Sequence, residues 1–320
     1  MERRDFIVKG SAASLLACFP ASLAGVERTL DAGKLERRAL GRTGERLSII
    51  GFGGIVVMNA TAQEASRRVA EAIDHGVNYF DVAPSYGDAE EMLGPALQPY
   101  RKDVFLACKT TERSREGAER ELDNSLRTLR TDHIDLYQLH AVNTRDDVEK
   151  IFAPGGALEA FVAARKAGKV RFLGFSAHSV EAALALIGRY NFDTILFPTN
   201  FATWHAGNFG PQVLAAAQAK QMGLLALKAM ARGPWPKDAK RDTYPKCWYE
   251  PLTTPDDAMT GLRFTLSHPV TAAIPPGDET LFKLALGLGM RFTPLAEGET
   301  RAIKEQGLAT APLFKYPSWG

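Results

Sequence analysis

The sequence predicts a (β/α)8 TIM barrel preceded by an N-terminal β-hairpin, and three observations predict it. Apolar runs of strand length alternate with helix-period segments eight times in one stretch of chain. No linker or low-complexity tract interrupts that alternation. Four residues able to do chemistry, Asp81, Tyr86, Lys109 and His140, stand at or just past the ends of three consecutive runs, and a parallel barrel gathers those ends at one mouth.

Residues 35–39 and 47–50 flank Gly41-Arg42-Thr43-Gly44 and read as a hairpin with a glycine-containing turn. Residues 48–53 form the first barrel strand. Over 62–75, Ala65, Val69, Ala72 and Ile73 recur at the spacing of one helix face. The second strand, 77–80, leads into Asp81 and a helix over 89–97; the third, 104–108, leads into Lys109 and a helix over 115–129. The fourth, 134–139, ends at His140 and is followed by a helix over 158–167. Strands over 170–175 and 194–197 have helices over 180–187 and 213–221, and the last two strands, 224–227 and 271–274, enclose a helix over 256–267. The long irregular stretches 201–211 and 232–254 have the length of mouth loops that serve as substrate walls or lids.

Length alone admits one large barrel or two smaller domains. Hydrophobic residues at 45% supply a sizeable core, and a net charge of +2 without a basic-aromatic run gives no reason to expect nucleic acid as a partner. Cys18, Cys108 and Cys247 include no CxxC pair and no Cys/His cluster, so no metal site is expected. The tail 292–320 has no cysteine, which argues against an iron-sulfur centre there.

The first residues read as a leader rather than as fold. Arg3-Arg4-Asp5-Phe6-Ile7-Val8-Lys9 precedes a weakly apolar stretch, 10–23, and small residues around Ala24, a pattern similar to a twin-arginine export signal with cleavage after Ala24. The division expected is therefore a signal over 1–24 and one domain over 35–320 that includes the tail. The apolar stretch is too short to remain as a membrane span. Export machinery of the twin-arginine type is the expected partner and the periplasm the expected compartment. Leu15-Leu16-Ala17-Cys18 also resembles a lipoprotein box, which would anchor Cys18.

A phenol beside an ammonium, itself held by a carboxylate, is a proton donor whose pKa the cation lowers. With an imidazole alongside, Tyr86, Lys109, Asp81 and His140 make a site for reducing a carbonyl. Taken singly, each has a plainer explanation: a helix cap, a core phenol, a strand ion pair, a satisfied interior imidazole. Gly51-Phe52-Gly53-Gly54 hints at a phosphate loop through Gly53 but lacks the full dinucleotide fingerprint. Phe52, Trp204, Trp235, Trp248 and Tyr249 are the aromatics available to line an apolar pocket.

Three stretches carry a family resemblance: Gly76-Val77-Asn78-Tyr79-Phe80-Asp81-Val82-Ala83-Pro84-Ser85-Tyr86-Gly87, then Ala107-Cys108-Lys109, then Asp135-Leu136-Tyr137-Gln138-Leu139-His140. With Val170-Arg171-Phe172-Leu173-Gly174-Phe175-Ser176, they make the chain resemble the aldo-keto reductases from about residue 35 to 289. The resemblance implies a barrel that reduces a small carbonyl substrate with NADPH, or with NADH, laid across the mouth. It implies that Tyr86 is the proton donor, Lys109 its activating cation, Asp81 the anchor of Lys109, and His140 the group that orients the carbonyl. For the cofactor it implies Ser176, Asn200, Leu227, Pro276 and Gly277, with Lys228 or Arg232 on the pyrophosphate. The chain departs from the family pattern where Ala177 replaces an Asn, Leu196 a Gln and Leu227 an aromatic. Asp278 and Glu279 stand where a basic residue is expected, and two carboxylates would repel a 2′-phosphate.

Two other readings stay open. A strand-end lysine, Lys109 or Lys228, could be a Schiff-base nucleophile, which requires it to be unpaired and desolvated. Alternatively, an exported barrel with altered cofactor use could act as a binding or scaffold protein.

Overall fold

Seven of the eleven α-helices among the described residues begin where a side chain accepts one of the first free backbone N–H groups. In the computed structural model, which describes residues 33–319, Thr61 and Glu64 form a reciprocal capping box, as do Thr144 and Asp147. Ser114, Ser179, Asn200, Thr254 and Asp278 cap further helices with their side chains. The expected export signal and the Cys18 box lie outside the described residues.

The hairpin is β1 (Arg37–Ala39) and β2 (Arg46–Ser48), antiparallel with Arg37 opposite Ser48. The barrel then runs β3 (Phe52–Gly53), α1 (Ala62–Asp74), β4 (Tyr79–Asp81), α2 (Ala89–Leu97), β5 (Phe105–Thr110) and α3 (Arg115–Thr128). Next come β6 (Ile134–Val142), α4 (Arg145–Phe152), α5 (Ala157–Lys166), β7 (Val170–Ala177) and α6 (Val180–Arg189). β8 (Thr194–Pro198), α7 (Phe201–His205), α8 (Pro211–Ala219) and β9 (Gly223–Leu227) follow, then a small antiparallel pair, β10 (Ala231–Gly233) and β11 (Glu250–Pro251). The chain closes with α9 (Pro255–Leu266), β12 (Ala272–Ile274), α10 (Glu279–Gly289) and α11 (Glu297–Ala309).

Eight parallel strands from β3 to β12 form one sheet in which each pairs with its neighbour in sequence, the small β10–β11 pair standing aside. The seam closes where the Gly51 N–H donates to the Ala273 carbonyl at 3.0 Å and the Ala273 N–H to that of Ile49 at 2.8 Å. This is the (β/α)8 barrel with its hairpin.

The hairpin shuts the bottom. Leu40 and Leu47 join Tyr79, Phe105, Leu136 and Leu225 in a buried cluster inside the barrel. Each such leucine taken from water contributes about 1.5–3 kcal/mol. Gly41, at φ +52°, lies so close to the start of β9 that a Cβ would sit 2.3 Å from the Gly223 nitrogen. With that end closed, the strand C-termini form the accessible mouth.

Elements that burial does not stamp on the sequence appear only in the structure. α4 is largely polar, with Val148 and Ile151 its buried residues, and α11 buries Ile303 and Gly307. α7 is a single capped turn inside the stretch expected to be irregular. The first barrel strand is shorter than expected because Ser48 pairs within the hairpin instead.

Candidate active site

Side chains two apart on a strand share a face. Tyr79 and Asp81 therefore point together into the barrel from β4, as Gln138 does from β6, and Lys109 on β5 reaches between them. Lys109 is fully buried. Its ammonium pairs with the Asp81 carboxylate and donates to the Val82 carbonyl and the Tyr86 Oη, both at 3.3 Å. The other Asp81 oxygen accepts from the Tyr79 hydroxyl and the Gln138 Nε2, both at 3.1 Å. A buried carboxylate with that many donors is held in one position, and so is the cation it fixes. Tyr79 and Gln138 are not among the expected site residues, although their two-residue spacing from Asp81 and His140 is the signal that finds them.

His140 is aimed by a bulge. The β6–β7 register breaks between Leu139 and Val142, Ala141 takes φ +52°, and the Ser176 hydroxyl oxygen accepts from the Ala141 N–H at 2.9 Å. The imidazole then stands edge-on to the Tyr86 ring, centroids 5.6 Å apart, with the Ser85 hydroxyl 3.3 Å from Nδ1. When that hydroxyl donates, the ring proton resides on Nε2. Arg113 holds the same turn by donating to the His140 carbonyl at 2.8 Å.

Electrostatics sort the four groups. For Lys109, burial works against the ammonium, but Asp81 and Tyr86 outweigh it and the pKa rises. Burial pushes His140 down to about 3, with Lys109 and His178 adding to the effect, so it is a neutral donor at ordinary pH. The expectation for Tyr86 is corrected. Burial pushes its pKa above the ordinary value, the pull of Lys109 does not cancel this, and Asp81 adds to the rise. The phenol is therefore a fully protonated acid at neutral pH rather than a partly ionised one.

A cleft opens beside Tyr86 and Asp81, lined by Gly53, Ile55, Leu196, Leu227, Lys228, Trp248, Tyr249, Pro276 and Gly277. Five of the expected cofactor residues, Gly53, Leu227, Lys228, Pro276 and Gly277, are thus gathered there. Gly277 approaches Ile55 so closely that a Cβ would lie 2.3 Å from its Cγ2. Ser176 supports the bulge under His140. Asn200 caps α7 through Oδ1, and its buried Nδ2 has no partner among the described residues. Arg232 is not brought to the cleft; it is engaged with Asp257 at 2.7 Å and Glu250 at 3.4 Å. Of the two candidate Schiff-base lysines, Lys109 is committed to Asp81.

Distant segments complete the rim. Lys246 crosses from the 234–249 loop and donates to the Ile55 carbonyl at 3.0 Å and the Met58 carbonyl at 2.7 Å. The tail lies over the ends of β6 to β8. Phe314 stands 5.2 Å from His178 and 6.0 Å from Trp248, while the Trp319 Nε1 donates to the Asn143 carbonyl at 2.9 Å. Neither Lys246 nor Phe314 carries a sequence signal, because each acts through a contact with a remote segment.

Residues 50–252 match the Aldo/keto reductase family. The chain belongs to that family. As an aldo-keto reductase it is an oxidoreductase acting on carbonyl groups. It is 26% identical over 302 residues to the uncharacterized oxidoreductase YqkF of Bacillus subtilis, covering 84% of this chain and 96% of that one. It is 34% identical over 160 residues to the Schizosaccharomyces pombe aldo-keto reductase yakc [NADP(+)], covering 43% of this chain and 45% of that one. The holo form of aldo-keto reductase AKR11C1 from Bacillus halodurans shares the fold, with a TM-score of 0.68 and 23% identity over 88% of this chain and 98% of that one.

Proposed function

We propose that this aldo-keto reductase converts an aldehyde or ketone to the alcohol, with Tyr86 delivering the proton. The observation that carries the reading is the 3.3 Å contact between the Lys109 ammonium and the Tyr86 hydroxyl, with Asp81 fixing the ammonium. A bound NADPH or NADH would supply the hydride. As negative charge develops on the carbonyl oxygen, Tyr86 Oη gives up its proton to it, and Lys109 stabilises the phenolate left behind. Neutral His140 offers an N–H to the same oxygen and orients it. The hairpin plug closes the barrel's other end.

The residues fit a nicotinamide dinucleotide. Asn200 Nδ2 is a buried donor with no partner among the described residues, suited to a carboxamide oxygen. Gly53, Pro276 and Gly277 line the same cleft, with Gly277 packed against Ile55. Leu227 would pack on the ring, and Tyr249 adds an aromatic to the same wall. Asp278 and Glu279 do not stand as bare carboxylates: Asp278 caps α10 by accepting from the Thr280 and Leu281 N–H groups. Glu279 is surrounded by Arg67 at 2.7 Å, Arg68 at 2.6 Å and Lys283 at 3.1 Å. Arg67 and Lys283 also pair with Glu71 and Arg68 with Glu64, so this cluster carries no surplus positive charge, and the order NADPH ahead of NADH rests on the yakc name.

Fluorescence titration of the full chain with NADPH and NADH, followed by a carbonyl panel, tests the proposal. Binding plus turnover that Tyr86→Phe abolishes supports it; no binding of either nucleotide favours the scaffold reading. We further infer that a twin-arginine leader carries the folded, loaded barrel to the periplasm. Fractionation of an Arg3→Lys, Arg4→Lys variant, expected to remain in the cytoplasm, tests that step.

A further inference from the structure

Among the described residues, the lysines of the site and the neighbouring Arg232 all have partners except one. Lys109 serves Asp81, Lys246 is bonded to the Ile55 and Met58 carbonyls, and Arg232 is paired with Asp257 and Glu250. Lys228 forms no ion pair and no hydrogen bond among the described residues. It is the first residue after β9, in the left-handed region at φ +71°, a conformation a lysine keeps only where its surroundings impose it. Its ammonium sits against two rings of the long loop, 4.9 Å from the Trp248 centroid and 4.7 Å from that of Tyr249. Aromatic faces attract a cation but do not neutralise it, and a half-desolvated ammonium gains most from an anion.

Resting on the reductase reading, we propose that Lys228 is a specificity residue that receives a carboxylate of the substrate, so that the carbonyl compound taken by this site is an oxo acid. The position of the charge favours substrate over nucleotide. Lys228 rests on Trp248, whose ring is 6.0 Å from Phe314, itself 5.2 Å from His178, so the ammonium lies toward the tail and the end of β7. Lys246, by contrast, lies over Ile55, which Gly277 touches on the side expected for the phosphates. Phe314 connects His178 to Trp248 and gives the same region an apolar wall, so a carboxylate on an aromatic or short aliphatic body matches it. Trp248 is 53% exposed, which leaves this corner open to a small acid entering from solvent. Burial also draws the Lys228 pKa down to about 8, the mark of an ammonium without a counter-charge.

Two measurements on the full chain test the assignment. In calorimetry, benzoate is expected to bind more tightly than benzamide, with Lys228→Met weakening benzoate by about tenfold or more and Lys228→Arg retaining it. In turnover, the ratio of kcat/KM for 4-carboxybenzaldehyde to that for benzaldehyde is expected to fall about tenfold in Lys228→Met and to recover in Lys228→Arg. Equal affinity for benzoate and benzamide overturns the proposal, as does an equal fall for both aldehydes. A Lys228→Met variant that weakens NADPH while leaving benzoate binding intact also overturns it and assigns the lysine to the pyrophosphate. If neither aldehyde is reduced, the reductase reading fails, while the calorimetry still decides whether Lys228 holds a carboxylate.

Discussion

The two halves of the barrel mouth are built differently. On the side of β4, β5 and β6, the polar atoms that define the site are largely satisfied by one another: Asp81 receives Lys109, Tyr79 and Gln138, and Lys109 also donates to Val82 and Tyr86. On the side of β7, β8, β9 and β12, Asn200 Nδ2 is buried and, among the described residues, has no partner, while Lys228 has only aromatic faces for company there. In the proposed reaction the first half is a preorganised proton-transfer unit. In the same proposal the second is the ligand receptor, and its rim is assembled from a long loop and the tail. One site can thus be rigid where charge moves and incomplete where ligands enter.

The largest expected effect lies in the first half. Tyr86→Phe retains the ring but removes the proton, and kcat for carbonyl reduction is expected to fall by about 10²–10⁴-fold. Nucleotide affinity, measured by fluorescence titration, should change little, because the receptor half is untouched. Lys109→Met leaves Asp81 buried and unpaired and is expected to cost about 3–5 kcal/mol in chemical denaturation. The double variant with Asp81→Asn should recover much of that stability and none of the activity. Recovery of activity would show that the pair serves folding alone.

Acid sensitivity probes the boundary between the halves, where the two imidazoles sit. Burial lowers His140 to about 3 and His178 to about 4, against an unfolded value of 6.5. Between those limits the unfolded chain binds the extra protons, so stability should be full above about pH 6.5 and fall as the pH drops. His178→Asn should flatten that part of the Tm-against-pH curve. The smallest effect is remote from both halves: Thr61→Ala removes the α1 capping box and should cost about 1 kcal/mol without changing turnover.

The proton-transfer half is legible in the sequence because its logic is local. Asp81, Lys109 and His140 each follow an apolar run, and Tyr86 follows Asp81 by one turn of loop. The groups that hold them, Tyr79 and Gln138, escape notice there, since they look like ordinary strand residues until their strands are side by side. The direction of the Tyr86 pKa is misread for a related reason: the charge of its neighbour is visible in the sequence, but the depth of its burial is not. Arg232 looks as available as Lys228, and only the approach of Asp257 and Glu250 separates them.

Periodicity and strand-end chemistry specify the barrel, its hairpin and the four residues at its mouth, since both are properties of short segments and hold without knowledge of the rest. Which charges are neutralised, which donors are left over, and which remote loop and tail residues wall the cleft are settled by the closed barrel alone. Those outcomes depend on distances between segments far apart in the chain, and electrostatic and desolvation energies change steeply with such distances.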